Sequence, residues 1–161
     1  MTNPSSFVKN NNTLIKNRQE AAEPVHIKYD LENDSQKIND AIYFNPFNFK
    51  FFESNPFQRN SRTYPIDFGY ADSYSYLINI ELPENHKVVE LPAQLVHRLP
   101  NNAGVLQFSA TQNGDRNVSV MCRVSFPNSI YTSDYYPHLK DLFEKILELQ
   151  TQSIIVIKEN G

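Results

Sequence analysis

One cysteine and four histidines are the residues best able to carry nucleophilic or metal chemistry in this 161-residue chain. A catalytic cysteine needs a site that favours the thiolate, usually a helix N-terminus or a nearby histidine, and it needs access to solvent. Cys122 instead lies within a strand-like run, on the same face as Val120 and Val124. We therefore expect Cys122 to be a buried small hydrophobic residue.

The histidines and acidic residues lack the spacing of a metal site. The four histidines are His26, His86, His97 and His138. No two of them form an HxH or HExxH pair, and the alternating acids of residues 30–34 lack the glycine and closing glutamate of a calcium loop. With only four glycines the chain has no phosphate-binding glycine motif. We expect no metal, no cofactor and no catalytic residue, although a carboxylate pair for sugar hydrolysis could come from distant positions.

Composition narrows the class of partner. A formal net charge of −3 argues against a nucleic-acid partner held through its phosphates. The longest near-continuous apolar run is Ile154–Ile157, far short of the roughly 20 residues of a membrane-spanning helix. The first sixteen residues have neither the basic region nor the apolar stretch of a secretory signal. We therefore expect no nucleic acid as a partner and no membrane span.

The hydrophobic pattern predicts a mainly β fold. Alternating residues predict strands over 25–31, 41–45, 74–82, 87–91, 95–99, 106–111, 118–126 and 152–158. Asn113-Gly114 predicts a tight hairpin between two of these strands. The last strand is apolar enough to be covered on both faces.

One helix is predicted at about 134–150, in the C-terminal half of the chain. Its apolar face has helical spacing and consists of Leu139, Leu142, Phe143, Ile146 and Leu149. Pro137 falls in the first turn, where its missing N–H does little harm. We expect an antiparallel β-sandwich-like domain over 23–161, with this helix and a final strand. Residues 1–22 are expected to form a polar tail or linker, or alternatively to contain a short helix over 14–22.

The aromatic residues are concentrated in one segment. Twelve of the chain's 20 phenylalanines and tyrosines lie from Tyr43 to Tyr76. Five phenylalanines fall within residues 47–57, and we expect their rings to pack on a sheet face. A glycan- or peptide-binding platform is the alternative, although tryptophan, the usual large stacking residue, is absent.

A second part of the same region interrupts the strand alternation. Pro65 and Gly69 break the pattern on either side of Asp67. Tyr64, Asp67 and Tyr70 are therefore the candidate interaction surface.

Several segments together resemble a known family. They are Ile42–Phe47, Glu53–Phe57, Tyr64–Tyr70, Leu99–Gly104 and Tyr136–Lys140. The amino-acid sequence of these segments is similar to the uncharacterised β-rich C-terminal domain that follows a transglutaminase-like, papain-like domain in large bacterial envelope or secreted proteins. The resemblance covers roughly Pro24–Glu159. It implies a Cys-His-Asp triad in an upstream domain, none of whose motifs occurs here, and an envelope, periplasmic or secreted location.

Three functions follow as expectations. The first is a non-catalytic accessory or interaction domain, whose partner is an upstream transglutaminase-like domain or another protein. The second is a glycan- or peptide-binding β-sandwich, and the third is a small hydrolase with an unrecognised carboxylate pair.

Overall fold

The computed structural model describes residues 9–16, 26–32 and 35–160, and it divides the chain into two compact units, Met1–Gln36 and Lys37–Gly161. In the first unit, β1 (Lys9–Lys16) pairs antiparallel with β2 (His26–Glu32). The register shifts between Asn11 and Leu14. The strand predicted over 25–31 is therefore confirmed.

The strand β1 lies inside the segment that the sequence predicts to be a tail. It begins with a lysine and three asparagines, which show no alternation of apolar and polar side chains. The strand is defined instead by its antiparallel backbone pairing with β2. The alternative helix over 14–22 is wrong for Leu14–Lys16, which belong to β1. Residues 1–8 and 17–22 lie outside the described part of the chain, and the domain boundary after residue 22 stays a prediction.

Two antiparallel four-stranded sheets and one short strand pair make up the larger unit. The strands are β3 (Gln36–Ile38), β4 (Ala41–Phe44), β5 (Ile66–Asp67), β6 (Asp72–Glu81), β7 (His86–Glu90), β8 (Leu95–Arg98), β9 (Val105–Asn113), β10 (Asn117–Phe126), β11 (Ile130–Tyr131) and β12 (Ile155–Glu159). The first sheet has the order β6-β10-β9-β8, the second has the order β3-β4-β12-β7, and β5 pairs with β11. The predicted fold class, mainly β and antiparallel with one helix and a final strand, is confirmed.

The first sheet has one buried face and one exposed face. The predicted hairpin joins β9 to β10, with Asn113 opposite Asn117 and Gly114 at a positive φ of 69° in the turn. Cys122 is fully buried on the inner face, as predicted. Leu77 and Met121 break the sequence alternation, and they lie directly opposite each other on the exposed face.

The helix α1 (Tyr136–Gln152) begins and ends about two residues later than predicted. A single 3₁₀ turn, Ser133–Tyr135, precedes it, and Pro137 lies in its first turn. All five apolar positions predicted for its buried face are buried. In β12, Ile155 and Val156 are both buried although they point to opposite faces, which confirms a final strand covered on both sides.

The aromatic loop, residues 45–57, packs most of its rings inside the larger unit. Phe47 and Phe57 are buried, and Phe47 stacks against Tyr76 at 5.7 Å between ring centroids. Phe52 and Phe57 contact Phe143 of α1, at 4.6 and 5.2 Å between centroids. The predicted packing is confirmed for these rings, because aromatic pairs at such distances add stabilisation beyond the area they bury.

The tripeptide Asn-Pro-Phe occurs twice in this loop, at Asn45–Phe47 and at Asn55–Phe57. In each copy the asparagine side-chain oxygen accepts a hydrogen bond from the phenylalanine N–H, at 2.8 and 2.9 Å. The asparagine amide donates to a helix carbonyl, that of Gln150 in the first copy and that of Lys140 in the second. These two carbonyls lie ten residues, and therefore about 15 Å, apart along α1. The two copies thus fasten both ends of the loop to the helix.

The side chain of Gln150 holds the middle of the loop and is only 1% exposed. Its Oε1 accepts hydrogen bonds from the N–H groups of Phe51 and Phe52, at 2.5 and 3.4 Å, and its Nε2 donates to the carbonyl of Phe52 at 3.0 Å. A loop backbone that enters the protein interior must find partners for its polar groups. One buried carboxamide supplies three of them.

Replacing Gln150 by leucine removes these partners while keeping a side chain of similar size. We expect Gln150→Leu to lower the free energy of unfolding by about 2 kcal/mol, because it leaves half-buried N–H and C=O groups of Phe51 and Phe52 without these hydrogen bonds. The matched control is Gln152→Leu, an exposed position on the same turn, which should change stability by less than about 0.5 kcal/mol. Urea unfolding measures both, and equal losses in the two variants would contradict the role given to Gln150.

Burial also controls the chemistry of the single thiol. Desolvation raises the pKa of the Cys122 thiol from 9.0 to about 12. The stability linked to this group is therefore complete below about pH 9. It is lost as the pH rises toward 12, because the unfolded thiol ionises first.

We expect the wild type to lose stability relative to Cys122→Ala by about 1.4 kcal/mol per pH unit above about pH 9. Chemical unfolding of both proteins at about pH 8, 9 and 10 measures the difference between their free energies of unfolding. Contributions from other groups that titrate in this range are common to both proteins and cancel in that difference. A constant difference across that range would mean that the folded thiol ionises as easily as the unfolded one.

Candidate functional site

A groove of about 660 Å³ runs between residues 56–68 and the first residue of α1. Its lining consists of Pro56, Phe57, Gln58, Arg59, Ser61, Arg62, Thr63, Tyr64, Ile66, Asp67, Phe68 and Tyr136. Half of this lining comes from residues 58–65, which form neither helix nor strand and are exposed to solvent. The groove is therefore a surface feature, and the buried rings of Phe57 and Tyr136 contribute to its lining.

One wall of the groove is fixed by the pairing of β5 with β11. Ile66 is buried opposite Tyr131, and the N–H of Phe68 donates to the carbonyl of Ser129 at 2.8 Å. The side-chain oxygen of Asp67 accepts a hydrogen bond from the N–H of Gly69 at 2.7 Å. Gly69 has a positive φ of 80°, which a residue with a Cβ adopts only with strain. This turn holds the Asp67 carboxylate at the edge of the groove.

The opposite wall is fixed by α1. The N–H of Arg59 donates to the hydroxyl of Tyr136 at 2.9 Å, and Lys140 Nζ donates to the carbonyl of Arg59 at 3.3 Å. Tyr136 itself is buried and meets the ring of Phe57 edge-on, with 5.3 Å between centroids. The backbone of Arg59 is thus held at two atoms while its side chain faces solvent.

The groove carries more positive than negative charge. Arg59 and Arg62 line it and are exposed, and neither forms an ion pair with a residue that the structure describes. Asp67 is the one carboxylate in the lining, and the ammonium group of Lys140 lies next to the carbonyl of Arg59. Two guanidinium groups in the same lining as an exposed tyrosine can bind carboxylates and stack on aromatic groups.

The structure brings together two of the three residues that the sequence singled out. Tyr64, 76% exposed, and Asp67 both line the groove. Tyr70, 66% exposed, lines a separate pocket of about 120 Å³ together with Tyr74. Phe68 contributes to both cavities and separates them. Their role as an interaction surface stays a prediction.

Sequence reasoning did not single out the two arginines. Their segment, Gln58–Thr63, is wholly polar and lies between two aromatic stretches. That composition marks an exposed loop, and such loops carry binding residues more often than the elements they connect. The repeated Asn-Pro-Phe tripeptide is the sequence feature that indicates how the preceding aromatic loop is anchored to α1.

The groove lining contains one carboxylate and no thiol. An acid pair needs two carboxylates across a cleft, and a covalent mechanism needs an accessible nucleophile beside a base. Asp67 is alone in the lining, and the Cys122 thiol is buried elsewhere in the first sheet. A second, shallower depression of about 790 Å³ is lined by Glu90 and Glu148, but Glu148 forms an ion pair with Lys145 at 3.0 Å.

Metal ligands do not converge anywhere in the described residues, where no group of three or more His, Cys, Asp or Glu side chains could hold an ion. Within the same residues, no helix has the length and apolar character needed to cross a membrane.

The comparison with known proteins gives a family for most of the chain. Residues 40–156 match a family described as a domain of unknown function with a solved structure, DUF3858. The matched region runs from the start of β4 into β12, and it includes the aromatic loop and the groove. No curated protein and no solved structure matches the chain significantly. The match extends over well more than half of the sequence, and the chain therefore belongs to the DUF3858 family.

Proposed function

We propose that this chain is a non-catalytic interaction domain that accompanies a transglutaminase-like protein. The observation that carries the proposal is the groove beside Tyr136, where Arg59, Arg62, Tyr64 and Asp67 are exposed and the backbone is anchored at Arg59 and at the Asp67 turn. A segment anchored at both ends loses less conformational entropy on binding than a free one, which favours recognition of a partner.

The chemistry of the single thiol supports a non-catalytic role. Peptide hydrolysis and glutamine–lysine crosslinking in the papain-like superfamily both need a thiolate with a base within hydrogen-bond reach. Cys122 is fully buried, and desolvation raises its pKa to about 12, so at neutral pH the thiol is protonated and shielded. Its inner-face neighbours Val120 and Val124 offer no base.

The association with a transglutaminase-like protein rests on the resemblance of the segments around Asn45–Phe47, Asn55–Phe57 and Tyr64–Tyr70. The first two of these segments hold the aromatic loop on α1, and the third contributes one wall of the groove. The same resemblance supports a bacterial origin and an envelope, periplasmic or secreted location. The enzymatic triad would belong to the partner domain.

The glycan-binding alternative receives less support. A stacking platform needs several exposed rings on one surface. Phe47 and Phe57 are buried, and the exposed tyrosines Tyr64 and Tyr70 face separate cavities.

Binding to a transglutaminase-like domain encoded in the same genome tests the proposal. We expect the purified chain to bind such a domain in a calorimetric titration. The variant Tyr64→Ala should weaken binding at least about tenfold, since it removes an exposed aromatic contact in the groove. Tyr43→Ala is the control, because Tyr43 is an exposed tyrosine of the second sheet outside the groove. An absence of binding, or equal losses in both variants, would contradict the proposal.

An activity assay tests the non-catalytic half separately. We expect the chain alone to give no turnover of peptide or of glutamine and amine substrates, since its thiol is buried and protonated. Cys122→Ala serves as the control. Turnover that disappears in this variant would show a catalytic cysteine and overturn the accessory role.

A further inference from the structure

We propose that the groove binds an acidic, extended segment of its partner polypeptide, with Arg59 and Arg62 as the anchors for the segment's carboxylates. This inference rests on the proposed interaction role of the same groove and adds the chemistry of what it recognises. It is carried by the charge of the lining and by the direction of the β5 backbone.

Charge is the first observation. The whole chain has a net charge of −3, but the groove lining holds two guanidinium groups and one carboxylate. Neither arginine forms an ion pair with another described residue, so both can donate hydrogen bonds to the carboxylates of a bound molecule. Lys140, whose ammonium group reaches the carbonyl of Arg59, adds a further positive charge beside the same wall. Arginine pairs with carboxylates through two parallel hydrogen bonds, which gives orientation as well as attraction.

The backbone of β5 is the second observation. Phe68 donates its N–H to Ser129, so the hydrogen-bonded pairs of this ladder are Phe68 with Ser129 and Ile66 with Tyr131. Asp67 lies between them in a non-hydrogen-bonded pair with Ile130. Its backbone N–H and C=O therefore point away from β11, on the open side of β5. The main chain of an extended peptide can hydrogen-bond to both groups of this one residue. Pro65 has no N–H to offer, and the N–H of Gly69 already donates to the Asp67 carboxylate.

The two observations together define the occupant. Hydrogen bonds to the main chain of Asp67 favour an extended segment, and the two arginines of the lining favour acidic side chains. Exposed Tyr64 lines the same groove and can pack on the aliphatic part of the bound segment. A basic segment would meet Arg59 and Arg62 with like charges, which costs binding free energy.

Peptide selection with a charge-reversed variant tests this inference. A random-peptide library displayed on phage is selected on the immobilised chain and, in parallel, on Arg59→Glu, Arg62→Glu. We expect enrichment of Asp- and Glu-rich peptides on the wild type and of Lys- and Arg-rich peptides on the variant. The control Arg98→Glu, Arg123→Glu makes the same change in net charge on the outer face of the first sheet, and it should select the same peptides as the wild type.

Fluorescence polarisation of a selected acidic peptide completes the test. The neutral variant Arg59→Gln, Arg62→Gln, which is less disruptive to folding, should weaken binding at least about tenfold, and higher salt should weaken it further. Enrichment of peptides whose charge is the same on wild type and groove variant would overturn the acidic-segment inference while leaving a protein-binding role intact. Failure to enrich any peptide would also overturn it, whereas the interaction role itself depends on the titration with the transglutaminase-like domain.

Discussion

The buried carboxamide of Gln150 is the interaction on which the arrangement of the larger unit depends. The aromatic loop has no helix or strand of its own, and yet four of its rings, Phe47, Phe51, Phe52 and Phe57, join or pack against the core. Its backbone groups at Phe51 and Phe52 cannot be left without partners, because each such group would cost more than a single hydrogen bond returns. Gln150 satisfies them, and among the described residues no buried side-chain nitrogen or oxygen lacks a partner.

The same constraint extends from the loop to the groove. The second Asn-Pro-Phe copy fixes Asn55–Phe57 on the carbonyl of Lys140, and the chain then continues directly into Arg59, whose N–H meets the hydroxyl of Tyr136. The helix thus positions one wall of the groove through polar contacts at its N-terminal half. The other wall depends on a different anchor, the pairing of β5 with β11. The two walls of the groove are therefore anchored independently of each other.

Membership in DUF3858 gives the fold a family and leaves its function to physical argument. The chemistry open to the larger unit depends on where its reactive groups lie. The thiol is buried on an apolar strand face, the groove contains one carboxylate, and the exposed charged groups of the groove are mostly cationic. Our proposal of a recognition role rests on this arrangement, because a fold alone does not specify a function.

The sequence by itself determined the elements whose signals are local. Alternation located β6, β9 and β10, Asn113-Gly114 located their hairpin, and helical spacing located α1 to within about two residues. It also placed Cys122 on a buried face. These predictions hold because the periodicity of side-chain direction, two in a strand and 3.6 in a helix, is a property of the backbone and is written in neighbouring residues.

Tertiary structure alone decided the rest. Gln150 bonds to residues 98 and 99 positions away, and Tyr136 meets Arg59 across 77 positions. The strand β1 exists through its pairing with β2, although its own asparagines and lysines carry no strand pattern. Tyr64 and Asp67 share a groove while Tyr70 does not, because Phe68 packs on Phe126 between the two cavities. Contacts between residues far apart in the chain leave no periodic trace in the sequence, so the groove forms, and can be recognised, only when the strands and helix have assembled around the aromatic loop.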